Sequence, residues 1–236
     1  IGYAVKQTSD GGYAVLGIES DDDSASNTKL IKLDQNGIVE WTKDYTGDYS
    51  ISGYSLELTS DDGYILVGGL YKENGLADIY IIRTNFLGDT IWTKSYGDYE
   101  KHQIGFSLAK TIDDGFIISG QKNVANGDTR LILLKIDDLG NTVWEKNFAY
   151  RDEFTYSYGR SITKTSDGGF IVTGETYDYG EDIWVIKTDF AGDSIWTQHI
   201  SGQDDDYPTS IIQTSDQGYV LSCYSNSLGS VSNDIW

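Results

Sequence analysis

The stretch GYSLELTSDDGYILVGG, Gly53 to Gly69, decides the fold, because the chain writes it five times. GYAVKQTSDGGYAVLG from Gly2, GFSLAKTIDDGFIISG from Gly105, GRSITKTSDGGFIVTG from Gly159 and PTSIIQTSDQGYVLSC from Pro208 align with it residue for residue. The aromatic after the glycine turn falls at Tyr13, Tyr64, Phe116, Phe170 and Tyr219, and the tryptophan of a later segment at Trp41, Trp92, Trp144 and Trp196. Self-similarity at a period of about 52 residues indicates a repeat architecture, in which each unit must stack on its neighbours to bury its apolar surface.

Each unit reads as four strands. In the second, A is Ser55 to Thr59, B is Tyr64 to Gly68, C is Asp78 to Asn85 and D is Thr90 to Tyr96. A and B are joined by Asp-Gly-Gly, Asp-Asp-Gly or Asp-Gln-Gly, where glycine supplies positive φ and Asp hydrogen-bonds the turn amides. C and D are joined by Asp34 to Gly37, Asn85 to Gly88, Asp137 to Gly140 and Asp189 to Gly192, the spacing of a tight turn closed by glycine. The unit is an antiparallel meander. Strands B and C are apolar on both faces, as in Tyr64 to Val67, Leu131 to Leu134 and Ile183 to Ile186. A sheet with one wet face would alternate, so these sheets are covered on both sides. Four-stranded sheets covered by copies of themselves describe the blades of a β-propeller, and a unit of this length with hairpin turns fits a blade better than a β-helix coil.

The expected fold is therefore all-β, a propeller of four-stranded antiparallel blades. Four repeats are complete and a fifth is partial, with blades at about 1–51, 52–103, 104–157, 158–206 and 207–236. The phrase D-I-x-x-I-K-T-D-x-x-G-D-x-I-W-T, Asp182 to Thr197, resembles the propeller repeats of secreted and surface proteins of bacteria and archaea. It is also similar to the tryptophan-docking repeat of quinoprotein propellers, which implies that the strand-D tryptophan packs against the next blade. The A–B turn T-x-D-x-G-[YF] resembles the Asp box of sialidase-like propellers, without the tryptophan that usually follows it. These likenesses imply a fold and little about activity, since such folds carry many functions. The fifth unit stops two residues into strand C, so the native chain is expected to be longer and to continue past Trp236.

Composition narrows the partners. Of 236 residues, 37 are acidic and 17 basic, a net charge of −20 that repels nucleic acid and anionic membrane surfaces. No apolar run approaches the ~18 residues of a membrane helix, so membrane insertion is not expected. The single cysteine, Cys223, stands where other repeats have Gly17, Gly68, Gly120 and Gly174, and reads as a small buried substitute. There is no G-x-S-x-G, H-E-x-x-H, P-loop or dinucleotide fingerprint. His102 and His199, the two histidines, read as surface residues.

Residues that recur in every blade are scaffold, so function is sought where the repeats differ. The variable segments are the B–C loops (18–28, 69–77, 121–129, 175–181, 224–233) and the D–A loops (46–52, 97–104, 149–158, 201–207), which lie at one end of a meander blade. That end is acidic and rich in tyrosine. Candidate ligand-binding residues are Tyr49, Tyr99, Tyr156, Tyr158, Tyr177, Tyr179 and Tyr207, suited to stacking on sugar rings or to a protein hot spot. Candidate metal ligands are Asp21, Asp22 and Asp23 with Asp204, Asp205 and Asp206, whose carboxylates suit Ca²⁺. The expected function is a non-catalytic extracellular or cell-surface propeller that binds or scaffolds a protein or glycan within a larger protein. The alternatives are a carbohydrate-active hydrolase or lyase using the loop acids, and a purely structural element.

Overall fold

The computed structural model describes residues 1–19, 26–98, 100–124, 127–151, 156–177, 180–226 and 234–235. These fall into two compact units, Ile1–Lys110 and Thr111–Trp236. Unit 1 holds β1 (Gly2–Gln7), β2 (Tyr13–Glu19), β3 (Asn27–Leu33) and β4 (Val39–Tyr45) as one antiparallel sheet in sequence order. A second such sheet is formed by β5 (Ser50–Leu58), β6 (Tyr64–Tyr71), β7 (Ala77–Thr84) and β8 (Thr90–Tyr96), and β9 (Gln103–Lys110) packs on it. Unit 2 continues the third repeat with β10 (Phe116–Asn123), β11 (Thr129–Ile136) and β12 (Thr142–Phe148). It then forms a complete sheet from β13 (Tyr156–Lys164), β14 (Phe170–Tyr177), β15 (Glu181–Thr188) and β16 (Ser194–Ile200). The fifth repeat contributes β17 (Asp206–Gln213), β18 (Tyr219–Ser225) and β19 (Asp234–Ile235). The fold is an all-β propeller of four-stranded antiparallel blades, and none of the described residues forms a helix long and apolar enough to cross a membrane.

Burial follows the sequence pattern. The B and C strands β6, β11, β14 and β15 are buried along nearly their whole length, whereas the D strands β4, β8, β12 and β16 are largely exposed. In unit 1 the first and second sheets share a core of Leu16, Leu30, Tyr45, Ile51, Leu56, Tyr64, Leu66 and Ile82. In unit 2 Ile171, Ile183 and Val185 pack with Ile211 and Cys223 of the fifth repeat. Cys223 is buried, as its glycine column implies.

The recurrent Thr-x-Asp turn does more than cap amides. Asp10 Oδ1 accepts from the Gly12 amide at 2.9 Å and from Thr8 Oγ1 at 2.5 Å, and Asp167 repeats both bonds with Gly169 and Thr165. In the first four repeats the turn aspartate also meets the buried cation of strand C: Lys32 on Asp10 at 2.8 Å, Arg83 on Asp61, Lys135 on Asp113 at 2.6 Å and Lys187 on Asp167 at 2.8 Å. The lysine of the I-K-T-D phrase is thus the partner of the T-x-D turn. The expectation that glycine supplies the left-handed φ of this turn holds at Gly11 and Gly168 and is corrected in the other three turns, and in none of the five is it the recurrent glycine. Positive φ belongs to the preceding residue, Gly11, Asp62, Asp114, Gly168 or Gln217. The recurrent glycine is there for space, because a Cβ on Gly12, Gly63, Gly115 or Gly169 would collide with a carbonyl oxygen of strand C.

Trp41 and Trp144 of strand D dock on the turn of the next repeat. A Cβ on Gly88 would lie 2.8 Å from the Trp41 ring, and one on Gly192 would lie 2.5 Å from Trp144, so at these two C–D turns the closing glycine, at φ near 80°, also seats the neighbour's indole. Lys43 to Asp89 at 2.7 Å and Lys146 to Asp193 at 2.6 Å repeat beside them, tying the lysine two residues after the tryptophan of one strand D to the G-D of the next turn.

Candidate functional site

Strands A and B run further than the sequence pattern implies. Strand A of the second repeat starts at Ser50 rather than Ser55, because a bulge between Gly53 and Ser55 absorbs one residue and pairing resumes beyond it. The same bulge recurs at Gly2/Ala4, Gly159/Ser161 and Pro208/Ser210. Much of what was expected as D–A and B–C loop is therefore paired strand. Tyr156 and Tyr158 lie in β13, Tyr177 in β14, and Asp206 and Tyr207 in β17.

This register builds one cluster in unit 2. Tyr156 stands opposite Tyr177, Ser157 opposite Thr176 and Tyr158 opposite Glu175. Side chains alternate along a strand, so the tyrosines and Glu175 share one sheet face while Ser157 and Thr176 are buried on the other. The Tyr156 and Tyr177 rings meet edge to face with centroids 6.3 Å apart at 69°, and both are almost half exposed. Together with Tyr158 and Glu181 they line an open recess of about 190 Å³. Tyr207 hydrogen-bonds Glu181, which holds its phenol above the usual range, and stacks on Tyr224 at 4.7 Å.

Behind the recess lies an ion pair not anticipated from the sequence. The bulge of β13 re-aims Arg160, which stacks on Tyr158 at 5.3 Å and binds Glu175 through Nε at 2.7 Å and through Nη2. Glu175 is buried, and that burial raises its carboxyl above the ordinary range despite the opposing Arg160. The signal was present in column comparison: Arg160 replaces the aromatics Tyr3, Tyr54 and Phe106, and Glu175 replaces Ile18, Gly69 and Gln121. In unit 1 those aromatics instead form a row, Tyr3 to Tyr54 at 5.1 Å and Tyr54 to Phe106 at 5.6 Å.

Of the remaining candidates, Tyr49 is exposed in unit 1, while Tyr99 and Tyr179 lie outside the described residues, as do Asp21, Asp22 and Asp23. Asp204 is exposed, Asp205 Oδ1 accepts from the Glu181 amide at 3.0 Å, and Asp206 is buried with Ser225 Oγ donating to it. Asp205 and Asp206 face different partners, and no group of three or more metal-ligating side chains converges among the described residues. His102, expected at the surface, is half-buried, with Nδ1 accepting from the Ala77 amide at 3.1 Å. His199 stacks on Tyr150 at 4.4 Å with Nε2 facing Asp182 at 3.4 Å.

No protein-family model matches the chain, and no curated protein matches it in sequence. Solved structures do match in shape. A protein of unknown function from Dyadobacter fermentans superposes with a TM-score of 0.67 at 12% identity, over 94% of this chain and 74% of that one. A thermostable family-43 glycoside hydrolase gives 0.56 at 12% identity over 95% and 83%. A PL25 polysaccharide lyase, an ulvan lyase, gives 0.53 at 10% identity over 98% and 68%. At such identities the likeness is to the propeller fold alone.

Proposed function

We propose that this chain is a non-catalytic β-propeller acting as a binding or scaffolding module of a larger secreted or surface protein, with a protein or glycan as its ligand. The observation that carries this reading is the tyrosine-lined recess at Tyr156, Tyr158 and Tyr177, where the rings of Tyr156 and Tyr177 are almost half exposed on paired strands. Amphipathic rings of this kind supply contact area at low entropic cost. The test is a glycan and peptide array probed with the wild-type protein and with Tyr156→Ala/Tyr177→Ala. Loss of the captured ligands by the variant supports the site, and an unchanged array profile removes it.

A second reading, a carbohydrate-active enzyme, is favoured by Glu175, whose raised pKa beside Glu181 resembles a general acid paired with a carboxylate. Against it, Glu175 is held by Arg160 in an ion pair. On the binding reading, polysaccharides incubated with the protein yield neither new reducing ends nor unsaturated products. Turnover abolished by Glu175→Gln would establish the enzyme instead. Calcium remains part of the proposal through the loops carrying Asp21–Asp23 and Asp204. An ion that binds only the folded state stabilises by about 2.7 kcal/mol at a hundredfold excess over Kd, so equal melts in Ca²⁺ and chelator at matched ionic strength would remove it.

A further inference from the structure

The recess has the chemistry of a cation site. Tyr156 and Tyr177 present two walls at 69° to one another, Tyr158 a third, and Glu181 places a carboxylate in the lining. Aromatic faces attract cations through their quadrupole, best where several rings surround the charge and an anion stands near. The fold already uses this attraction at the same place, since the Arg160 guanidinium lies 5.3 Å from the Tyr158 ring. Arg160 does not make the recess positive, because Glu175 neutralises it and Glu181 adds a further negative charge. Asp205, bonded to the Glu181 amide, stands beside them, and the chain as a whole carries −20. Such a field raises the local concentration of cationic partners and repels anionic ones.

Resting on the reading that this recess is the ligand site, we propose that Tyr156, Tyr158, Tyr177 and Glu181 form a cation–π pocket for the ammonium group of a lysine side chain presented by a basic polypeptide. A volume of about 190 Å³ suits one such headgroup rather than a folded surface. The acidic chain favours a basic polypeptide over a neutral glycan as its bearer.

The probes are an Nα-acetyl-lysine amide, its ε-trimethyl form, a neutral analogue with carbon in place of the trimethylated nitrogen, and glucosamine. Each is titrated against the full chain while ¹³C-labelled tyrosine ring signals are followed by NMR. The two lysine derivatives should shift the rings of Tyr156, Tyr158 and Tyr177, and the neutral analogue should not. Tyr177→Ala should weaken the trimethyl probe roughly tenfold, the loss of about one cation–π contact. Glu181→Gln should weaken it and flatten its salt dependence. Tyr177→Phe, which keeps the ring, should retain binding and shows that any loss is not one of folding. Equal shifts by the neutral analogue would overturn the proposal, as would silence from both lysine derivatives. A response to glucosamine alone would move the bearer to an amino sugar and overturn the polypeptide assignment. An uncharged glycan that shifts the same rings while every cation is silent would leave the binding-module reading standing and remove this inference.

Discussion

Asp62 and Gly63 are neighbours in one turn under opposite constraints. Asp62 has φ of 60° in the left-handed region, where glycine is equally at home, whereas Gly63 has no room for a Cβ against the Thr84 carbonyl and the Arg83 guanidinium. Gly63→Ala should therefore cost about 1–3 kcal/mol or more by overpacking. Asp62→Gly relieves backbone strain but loses rigidity in the unfolded chain, and the change should stay within about 1 kcal/mol. Urea melts of the two variants check both, and the reverse ranking would contradict the turn geometry. The buried lysines make a second residue-scale case. Lys135 is 1% exposed and its ammonium meets Asp113. Asp113→Ala leaves that donor short of a partner, at about 1–3 kcal/mol. Adding Lys135→Met should recover most of the loss in a double-mutant cycle. The aspartate and threonine were legible in the sequence because they sit two residues apart in one repeated turn. Their lysine was not, because it is 22 residues away and only strand pairing brings it back.

At the scale of the element, strand identity and order were legible, while strand ends and register were not. Tyr156 and Tyr177 were read as residues of separate loops, yet they face each other across β13 and β14. The A-strand bulge explains the difference: one extra residue breaks the alternating pattern that marks a strand, although the chain keeps pairing on both sides of it. The bulge also selects which side chain is re-aimed, and this is how Arg160 reaches Glu175. Tryptophan docking belongs to this scale as well. Trp144 is half-buried against the Gly192 turn, whereas Trp196 is 40% exposed and touches Tyr219 edge-on. Trp144→Ala should cost about 3 kcal/mol, the low end for a buried tryptophan. Trp196→Ala should cost less, in proportion to the smaller area it buries. Equal melting shifts for the two would show that the indole is not seated by the turn glycine.

For the whole molecule the distribution of charge governs the response to pH. Asp167 is lowered to about 2, first by the hydrogen bond from Lys187 and then by Thr165. Asp10, Asp61, Asp113 and Asp216 are also lowered, Asp10 chiefly by Lys32, Asp61 and Asp216 chiefly by Thr59 and Thr214, and Asp113 by Lys135 and Thr111 against its burial. A depressed folded pKa means that the stabilisation is complete above the unfolded value of about 3.9 and is lost as pH falls through the folded value. Thermal stability should thus fall between about pH 4 and pH 2, in one step shared by the repeated turns. Glu175 acts with the opposite sign. Its folded pKa is raised, so stability declines as pH rises from about 4.3 through the folded value. Melting curves of wild type and Glu175→Gln across pH 3 to 8 should show that decline only in the wild type. What the sequence by itself determined is the repeat, the meander blade and the residues that each blade must have, because periodicity and turn chemistry act within a few residues. The tertiary structure alone decided which residues meet. Register, bulges and alternation across strands brought Tyr156, Tyr158, Tyr177, Glu175, Glu181 and Arg160 together, and these are contacts between segments whose separation no local pattern encodes.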